Sequence, residues 1–424
     1  MDGARSRGHA AVQATIAAMI RGRAPHAVLI SGPPGVGKTT LATDLAAGLC
    51  CAADELLRRP CGACRPCRLV FAGRHPDVHR LGPDGAGRQV VIGGPSARVR
   101  GVRDLIAELA FAPVEGGARI AIVTSADRMN EDAQAALLKT LEEPPAGVLI
   151  ILCADADEPL LPTIRSRCAT VRLGPLASRD IETILGERQL ADPPLAARLA
   201  RISAGRPGLA VAWASNPDAL RARGELSRVL IDLTDARPAD RLGAIRAATP
   251  VATGLRAVMD VAAIDPPAGP AAGTGRATGA REALSGRRRA VAVAGEAGGP
   301  GSTLREAAPE SSGDAAPDAP GEASASGIGV RTPAAERRRA AEAIVGLWTE
   351  VARDVALCRL GMPGSVRGLD LLDETKALAA ELDPDHVTAF LDRLGRAGVL
   401  LAGNVSPDLV LDDLALAWPR RPAA

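Results

Sequence analysis

One ten-residue stretch, Ser31-Gly32-Pro33-Pro34-Gly35-Val36-Gly37-Lys38-Thr39-Thr40, constrains the fold of this chain more than any other. An apolar run at residues 27–30 precedes it, and residues 41–49 read as a helix. Strand, glycine-rich turn and helix with G-x-x-x-x-G-K-T spacing form a phosphate cradle. Gly35 and Gly37 let the backbone curl so that successive N–H groups point at one anion. The helix N-terminus adds partial positive charge. Lys38 is placed to reach the β- and γ-phosphates, and Thr39 to offer its hydroxyl to Mg²⁺. Gly32, Gly35, Gly37, Lys38, Thr39 and Thr40 are therefore the candidate nucleotide-binding residues, with ATP and Mg²⁺ as the implied ligands. The sequence holds three lysines, Lys38, Lys139 and Lys376, among 51 Lys and Arg. A composition that otherwise uses Arg places a Lys here, where a compact point charge is not interchangeable with a rigid fork.

A length of 424 residues suggests two to four domains, and 47% apolar residues suffice for their cores. The net charge of +2 neither implies nor excludes a nucleic-acid partner. Three Phe, three Trp and no Tyr argue against a base-stacking platform. Residues 1–8 are polar, and residues 10–20 are interrupted by Gln13 and Thr15, so the opening reads as neither signal peptide nor membrane span. The expectation is a soluble cytoplasmic protein without membrane contact. Its eight cysteines then suggest metal binding or free thiols before disulfides.

Four of those cysteines are grouped. Cys61, Cys64 and Cys67 follow C-x-x-C-x-x-C spacing, which lets three thiolates converge on one tetrahedral ion, and Cys51 closes the set. Cys50 is an alternative fourth ligand. A structural zinc is expected, because four protein ligands leave no open position for catalysis. Its role would be to fold an insertion too small for its own core. His75 and His79 read as ordinary surface histidines and stay outside the ligand set.

Further on, residues 98–109 read as a helix with Val99, Val102, Leu105, Ile106 and Leu109 on one face. Residues 119–123 read as a buried strand. In a phosphate-loop ATPase such a strand ends in an Asp that holds Mg²⁺, often followed by a Glu that activates water. Here it runs into Thr124-Ser125-Ala126-Asp127, with neither acid in place and Asp127 too far along. The pattern predicts a site able to hold a nucleotide but lacking the groups to hydrolyse it. The similar pattern ending at Asp232 falls in a helical stretch, and Asp155, beyond the strand at 148–153, is an improbable substitute. Asn130 suits an N-cap for a helix over 131–141, stopped by Glu142-Glu143-Pro144-Pro145. A turn or short helix at 161–168 and a strand at 169–173 follow.

Four features in this order compose a family resemblance. They are the phosphate loop preceded by Pro25-His26-Ala27, the four-cysteine insertion, Leu137-Leu138-Lys139-Thr140-Leu141-Glu142-Glu143-Pro144-Pro145, and Ser166-Arg167-Cys168. Over residues 8–215 the chain resembles the bacterial clamp-loader AAA+ subunits of DNA polymerase III, and its C-terminal end does so weakly. The motor subunits of that family, gamma and tau, carry an Asp-Glu pair at the positions of Thr124 and Ser125 and a sensing Arg near Gly208. This chain has none of the three, and so resembles the stationary delta-prime branch. The resemblance implies that Arg167 is an arginine finger acting in trans on a neighbour's ATP, with Arg165 ambiguous. It implies gamma/tau and delta partners in a hetero-oligomeric ring, a sliding clamp, and primer–template DNA reached through the complex. The complex belongs to a DNA-directed DNA polymerase, a nucleotidyltransferase, while the chain itself is expected to lack ATP hydrolysis. Whether its intact loop binds ATP is open.

Residues 179–186, 194–203 and 209–215 carry short helical patterns, which fit the small lid of an AAA+ core. Residues 217–262 are helical. Residues 265–332 are rich in Ala, Gly, Pro, Ser and Arg and read as disordered; Arg287-Arg288-Arg289 within them reads as a solvated charge run. From residue 333 helical periodicity returns, with Ile344, Leu347, Trp348, Val351 and Val355 on one face. The expected division is an α/β AAA+ P-loop domain at 1–175 with its zinc module at 51–67, and a helical lid at 176–217. An all-α collar at 218–424 follows, interrupted by the 265–332 insert. The rivals are an active gamma/tau-like ATPase and an unrelated AAA+ ATPase with a zinc insertion. A zinc-bearing DNA-binding module fits least, for want of a basic stripe.

Overall fold

A computed structural model of the chain describes all residues except 23, 84–88, 95–96, 98, 116, 265–332, 404 and 422–424. The expected insert, with its three consecutive arginines, therefore lies outside the described residues. The first half is built on five parallel strands: β1 (Ala27–Ser31), β2 (Val78–Leu81), β3 (Arg119–Val123), β4 (Val148–Ala154) and β5 (Ala169–Arg172). Their order is β2-β3-β4-β1-β5. The apolar runs of β1, β3 and β4 are buried throughout because helices cover both faces of the sheet.

Alternation along each strand divides the core in two. Val28 and Ile30 join Ile16 and Ile20 of α1 (Ala10–Arg21) and Leu41 and Leu45 of α2 (Lys38–Cys50). Ala27 and Leu29 face the other way. They pack with Leu105 and Leu109 of α4 (Val102–Leu109) and Leu137 and Leu141 of α5 (Glu131–Glu142). The short α3 (Arg65–Phe71) belongs to the cysteine insertion. Asn130 caps α5 as its sequence suggests, accepting from the Ala133 N–H at 3.0 Å.

The expected helix over 98–109 begins later, at Val102, which leaves Val99 outside it. The Asp104 carboxylate accepts from the Gly101 N–H at 2.8 Å and the Gly94 N–H at 3.2 Å. Those bonds fold the preceding residues back against the helix start, which apolar spacing alone does not register.

Beyond α6 (Pro162–Arg165) and β5 the chain is helical: α7 (Ser178–Glu187), α8 (Pro193–Ile202), α9 (Pro207–Ser215), α10 (Pro217–Asp232) and α11 (Pro238–Ile264), then α12 (Ala334–Arg359), α13 (Leu372–Glu381), α14 (Pro384–Ala402) and α15 (Pro407–Ala417). One apolar core runs through them from Leu176 to Trp418. The stripe expected around Trp348 faces that core. The Trp418 ring meets Phe390 edge-on at 4.8 Å, and its Nε1–H donates to Thr234 Oγ1 at 2.9 Å. The wholly buried Arg241 donates to the carbonyls of Ala415 at 3.0 Å and Trp418 at 2.7 Å, satisfying the end of α15. Among the described residues no helix is long and apolar enough to cross a membrane.

Candidate nucleotide cleft and metal centre

The phosphate loop leaves the sheet where β1 and β4 end together, with Ser31 opposite Ala154. Ligands of parallel sheets sit at such strand ends. Gly35 and Gly37 take φ of 80° and 103°, a backbone shape that L side chains rarely adopt. A Cβ on Gly32 would lie 2.1 Å from the Leu173 carbonyl oxygen, so only glycine fits there. The loop opens into a cleft lined by Gly35, Gly37, Lys38, Thr39 and Thr40. Gly32 stands behind it and contributes its carbonyl. The N-terminal end of α9 closes one side, where the Gly208 N–H donates to the Gly35 carbonyl at 2.9 Å.

Lys38 is 8% exposed. Its Nζ donates to the Gly32 carbonyl at 2.7 Å, the Pro33 carbonyl at 2.9 Å and Asp155 Oδ1 at 2.6 Å. At the end of β3, Thr124 and Ser125 line the cleft without a carboxylate. The Thr124 hydroxyl turns to the Leu81 carbonyl at 3.3 Å, and Ser125 sits at φ 56°. The acids near this site come from elsewhere. Asp155 directly follows β4, and the Asp127 carboxylate accepts from the Asp155 N–H at 3.0 Å. Burial pushes the Asp127 carboxyl up. The Val229–Asp232 pattern ends α10, as its helical surroundings indicate.

Cys51, Cys61, Cys64 and Cys67 converge with their sulfurs within 4.8 Å of one another. Cys51 follows α2 directly and Cys67 lies on α3; both are buried, while Cys61 and Cys64 are half-buried. Cys50, the alternative ligand, is outside the cluster, and burial pushes its thiol up to about 12. The Cys64 backbone N–H, 3.4 Å from Cys61 Sγ, holds that thiol down at about 6. Four sulfurs so placed fit a tetrahedral soft-ligand site with no open position. His75 departs from the expected surface placement: it is buried, and its Nδ1 accepts from the Asp77 N–H at 3.2 Å. Its Nε2 lies 3.6 Å from Glu115, and it is not among the four clustered ligands.

The opening residues tie this centre to the cleft, a connection that no motif announces. The Gly3 N–H donates to the Pro60 carbonyl at 2.8 Å, and Asp2 pairs with Arg58 at 2.9 Å. The Arg5 and Ser6 N–H groups then donate to the buried Asp44 carboxylate of α2, at 2.9 Å and 2.8 Å. The Arg5 guanidinium lies over the Phe71 ring of α3, 4.2 Å from its centroid. Residues 5–9 finally line the mouth of the cleft.

Arg167 lies just beyond α6, outside the residues that line this cleft. Its Nη2 pairs with Glu142 Oε1 at 2.8 Å and its Nη1 donates to the Thr163 carbonyl at 3.1 Å. The side chain is 36% exposed and its partner 50%.

A parallel sheet with a phosphate loop after β1 and helices on both faces defines a P-loop α/β domain. The sequence profile described as "DNA polymerase III, delta subunit" matches residues 8–177. The chain is 38% identical over 198 residues to DNA polymerase III subunit delta' of Escherichia coli K12, covering 46% of this chain and 57% of that one. It is 36% identical over 195 residues to subunit delta' of Pseudomonas aeruginosa, covering 44% and 55%. It is also 37% identical over 182 residues to subunit tau of Salmonella typhimurium, covering 42% and 27%. Through residues 8–177 the chain is similar to DNA polymerase III delta-prime subunits. It spans little more than half the length of these delta-prime relatives.

Proposed function

We propose that this chain is a non-motor subunit of the DNA polymerase III clamp loader, helping to place the sliding clamp on primed DNA during replication in the cytoplasm. The observation that carries the reading is the end of β3, where Thr124 and Ser125 stand at the cleft in place of the acids that hold Mg²⁺ and activate water. A chain so built would contribute architecture and one catalytic group to a neighbour. That group is Arg167, which lies outside its own cleft and is half-exposed, so a phosphate it meets would belong to another subunit. A guanidinium supplied in trans stabilises charge that develops on a transferring phosphoryl group.

In this reading Cys51, Cys61, Cys64 and Cys67 hold a structural zinc. Gly32, Gly35, Gly37, Lys38, Thr39 and Thr40 form a loop able to hold ATP with Mg²⁺ without turning it over. The division into an AAA+ domain at 1–175, a lid at 176–217 and a collar from 218 onward carries over as part of the proposal. The helices after residue 333 would join gamma/tau and delta subunits in a ring around primer–template DNA. Mixing the purified chain with gamma/tau and delta subunits is the test. A hetero-oligomer that requires this chain and loads clamps on primed DNA is the expected result. Failure to enter such an assembly would favour an independent AAA+ ATPase.

A further inference from the structure

We propose that Asp155 is a built-in competitor for nucleotide phosphate, pairing with Lys38 and setting how tightly the chain binds a nucleoside di- or triphosphate. The inference rests on the cleft being a nucleotide site, and it does not depend on membership of the ring.

An ammonium has a fixed number of donors. Lys38 Nζ has three N–H bonds and no acceptor. Three oxygens take them, the Gly32 and Pro33 carbonyls and Asp155 Oδ1, all within 2.9 Å. Nothing remains for a phosphate unless one of these partners gives way. The two carbonyls belong to the loop backbone, whose path is fixed by the fit of Gly32 against Leu173. Asp155 is a side chain 37% exposed, and a rotation about its own bonds frees it toward solvent. It is therefore the partner that yields.

Its chemistry makes it a stand-in for the ligand. A carboxylate and a phosphate both offer anionic oxygens, and both form charge-assisted bonds with an ammonium. With Lys38 largely buried, its one charge serves one anion or the other at contact distance. Once displaced, Asp155 stays close to the incoming phosphates and to Asp127, which already accepts from its N–H. The like charges then oppose the bound state. The empty state has its cation satisfied, while the filled state must release an anion first. A chain that supplies its own anion at this point binds nucleotide more weakly than its intact glycine loop implies.

The test uses the full chain and ATP or ADP with Mg²⁺, with affinity measured by calorimetry for the wild type, Asp155→Asn, Lys38→Ala, and Asp155→Asn combined with Lys38→Ala. The Asn variant keeps the backbone N–H to Asp127 and loses the charge. Its affinity is expected to rise on the order of tenfold, about 1.4 kcal/mol, and the gain should vanish when Lys38 is absent. Unchanged affinity overturns the proposal. Weaker binding with Mg²⁺ but not without it also overturns it, and assigns Asp155 to the metal instead. If neither wild type nor Asp155→Asn binds nucleotide while both retain native circular dichroism, the competitor role is lost. The ring reading then stands or falls on the co-assembly experiment alone.

Discussion

Replacing Arg167 by Ala should slow ATP turnover at the neighbouring motor subunit on the order of a thousandfold, the low end of what an arginine finger contributes. The whole complex should slow less if its other ATPase sites fire independently, and nearly as much if they fire in sequence. The resting geometry permits the role. Arg167 is held by Glu142 at 2.8 Å, but both side chains are substantially exposed. Such pairs contribute roughly 0–1 kcal/mol, so the guanidinium can exchange Glu142 for a phosphate at small cost. Two further variants sharpen the result. Arg167→Lys keeps the charge but not the planar fork, and should recover only part of the rate. Glu142→Gln frees Arg167 and should not slow turnover. Assembly of the complex, followed by gel filtration, should be the same in all three. A normal rate in an Arg167→Ala complex would reduce this residue to a partner of Glu142.

Withdrawing the metal is the second large perturbation. Residues 51–67 bury little apart from the ligands: Leu56 and Leu57 are exposed, while Cys51 and Cys67 lie at 4% and 0% exposure. With so little apolar surface to hold it, the insertion is expected to depend on the proposed zinc. Four-thiolate zinc sites carry on the order of 10 kcal/mol of folding free energy. Chelation, or Cys67→Ser, should therefore unfold the insertion and leave the sheet, which has its own two-sided core, intact. Hydrogen exchange should accelerate at 51–71 and also at residues 2–6, because Gly3 and Asp2 are anchored on Pro60 and Arg58. One zinc per chain, lost with Cys67→Ser and kept with Cys50→Ser, is the expected stoichiometry. Full zinc in the Cys67→Ser protein would contradict the assigned ligand set.

Features carried by local spacing were readable before any coordinates. The phosphate loop, the C-x-x-C-x-x-C run, the three buried strands and the Asn130 cap are each determined within a dozen residues. What escaped depends on distant residues meeting. Lys38 and Asp155 are 117 positions apart, and only the adjacency of β1 and β4 in the sheet brings them together. Periodicity cannot report that adjacency. The choice between Cys50 and Cys51 turned on which thiol faces the insertion as α2 ends, a single-residue rotation of about 100°. The polar ring of His75 gives no sign of burial in the sequence; the Asp77 N–H and Glu115 that accommodate it come from its own turn and from a loop 40 positions on. The N-terminal tie through Asp44 was equally silent, since an isolated acid in a helix ordinarily faces water.

The proposed role requires that this chain hold a phosphate loop without the groups to hydrolyse what the loop binds. Steady-state ATP turnover by the purified chain alone, with nucleotide binding followed in the same samples, tests it most directly. The account predicts no turnover, whether or not nucleotide is bound. Clear turnover, abolished by Lys38→Ala, would contradict it. It would mean that the carboxylates beside Lys38 have replaced the missing pair and that the chain is itself a motor.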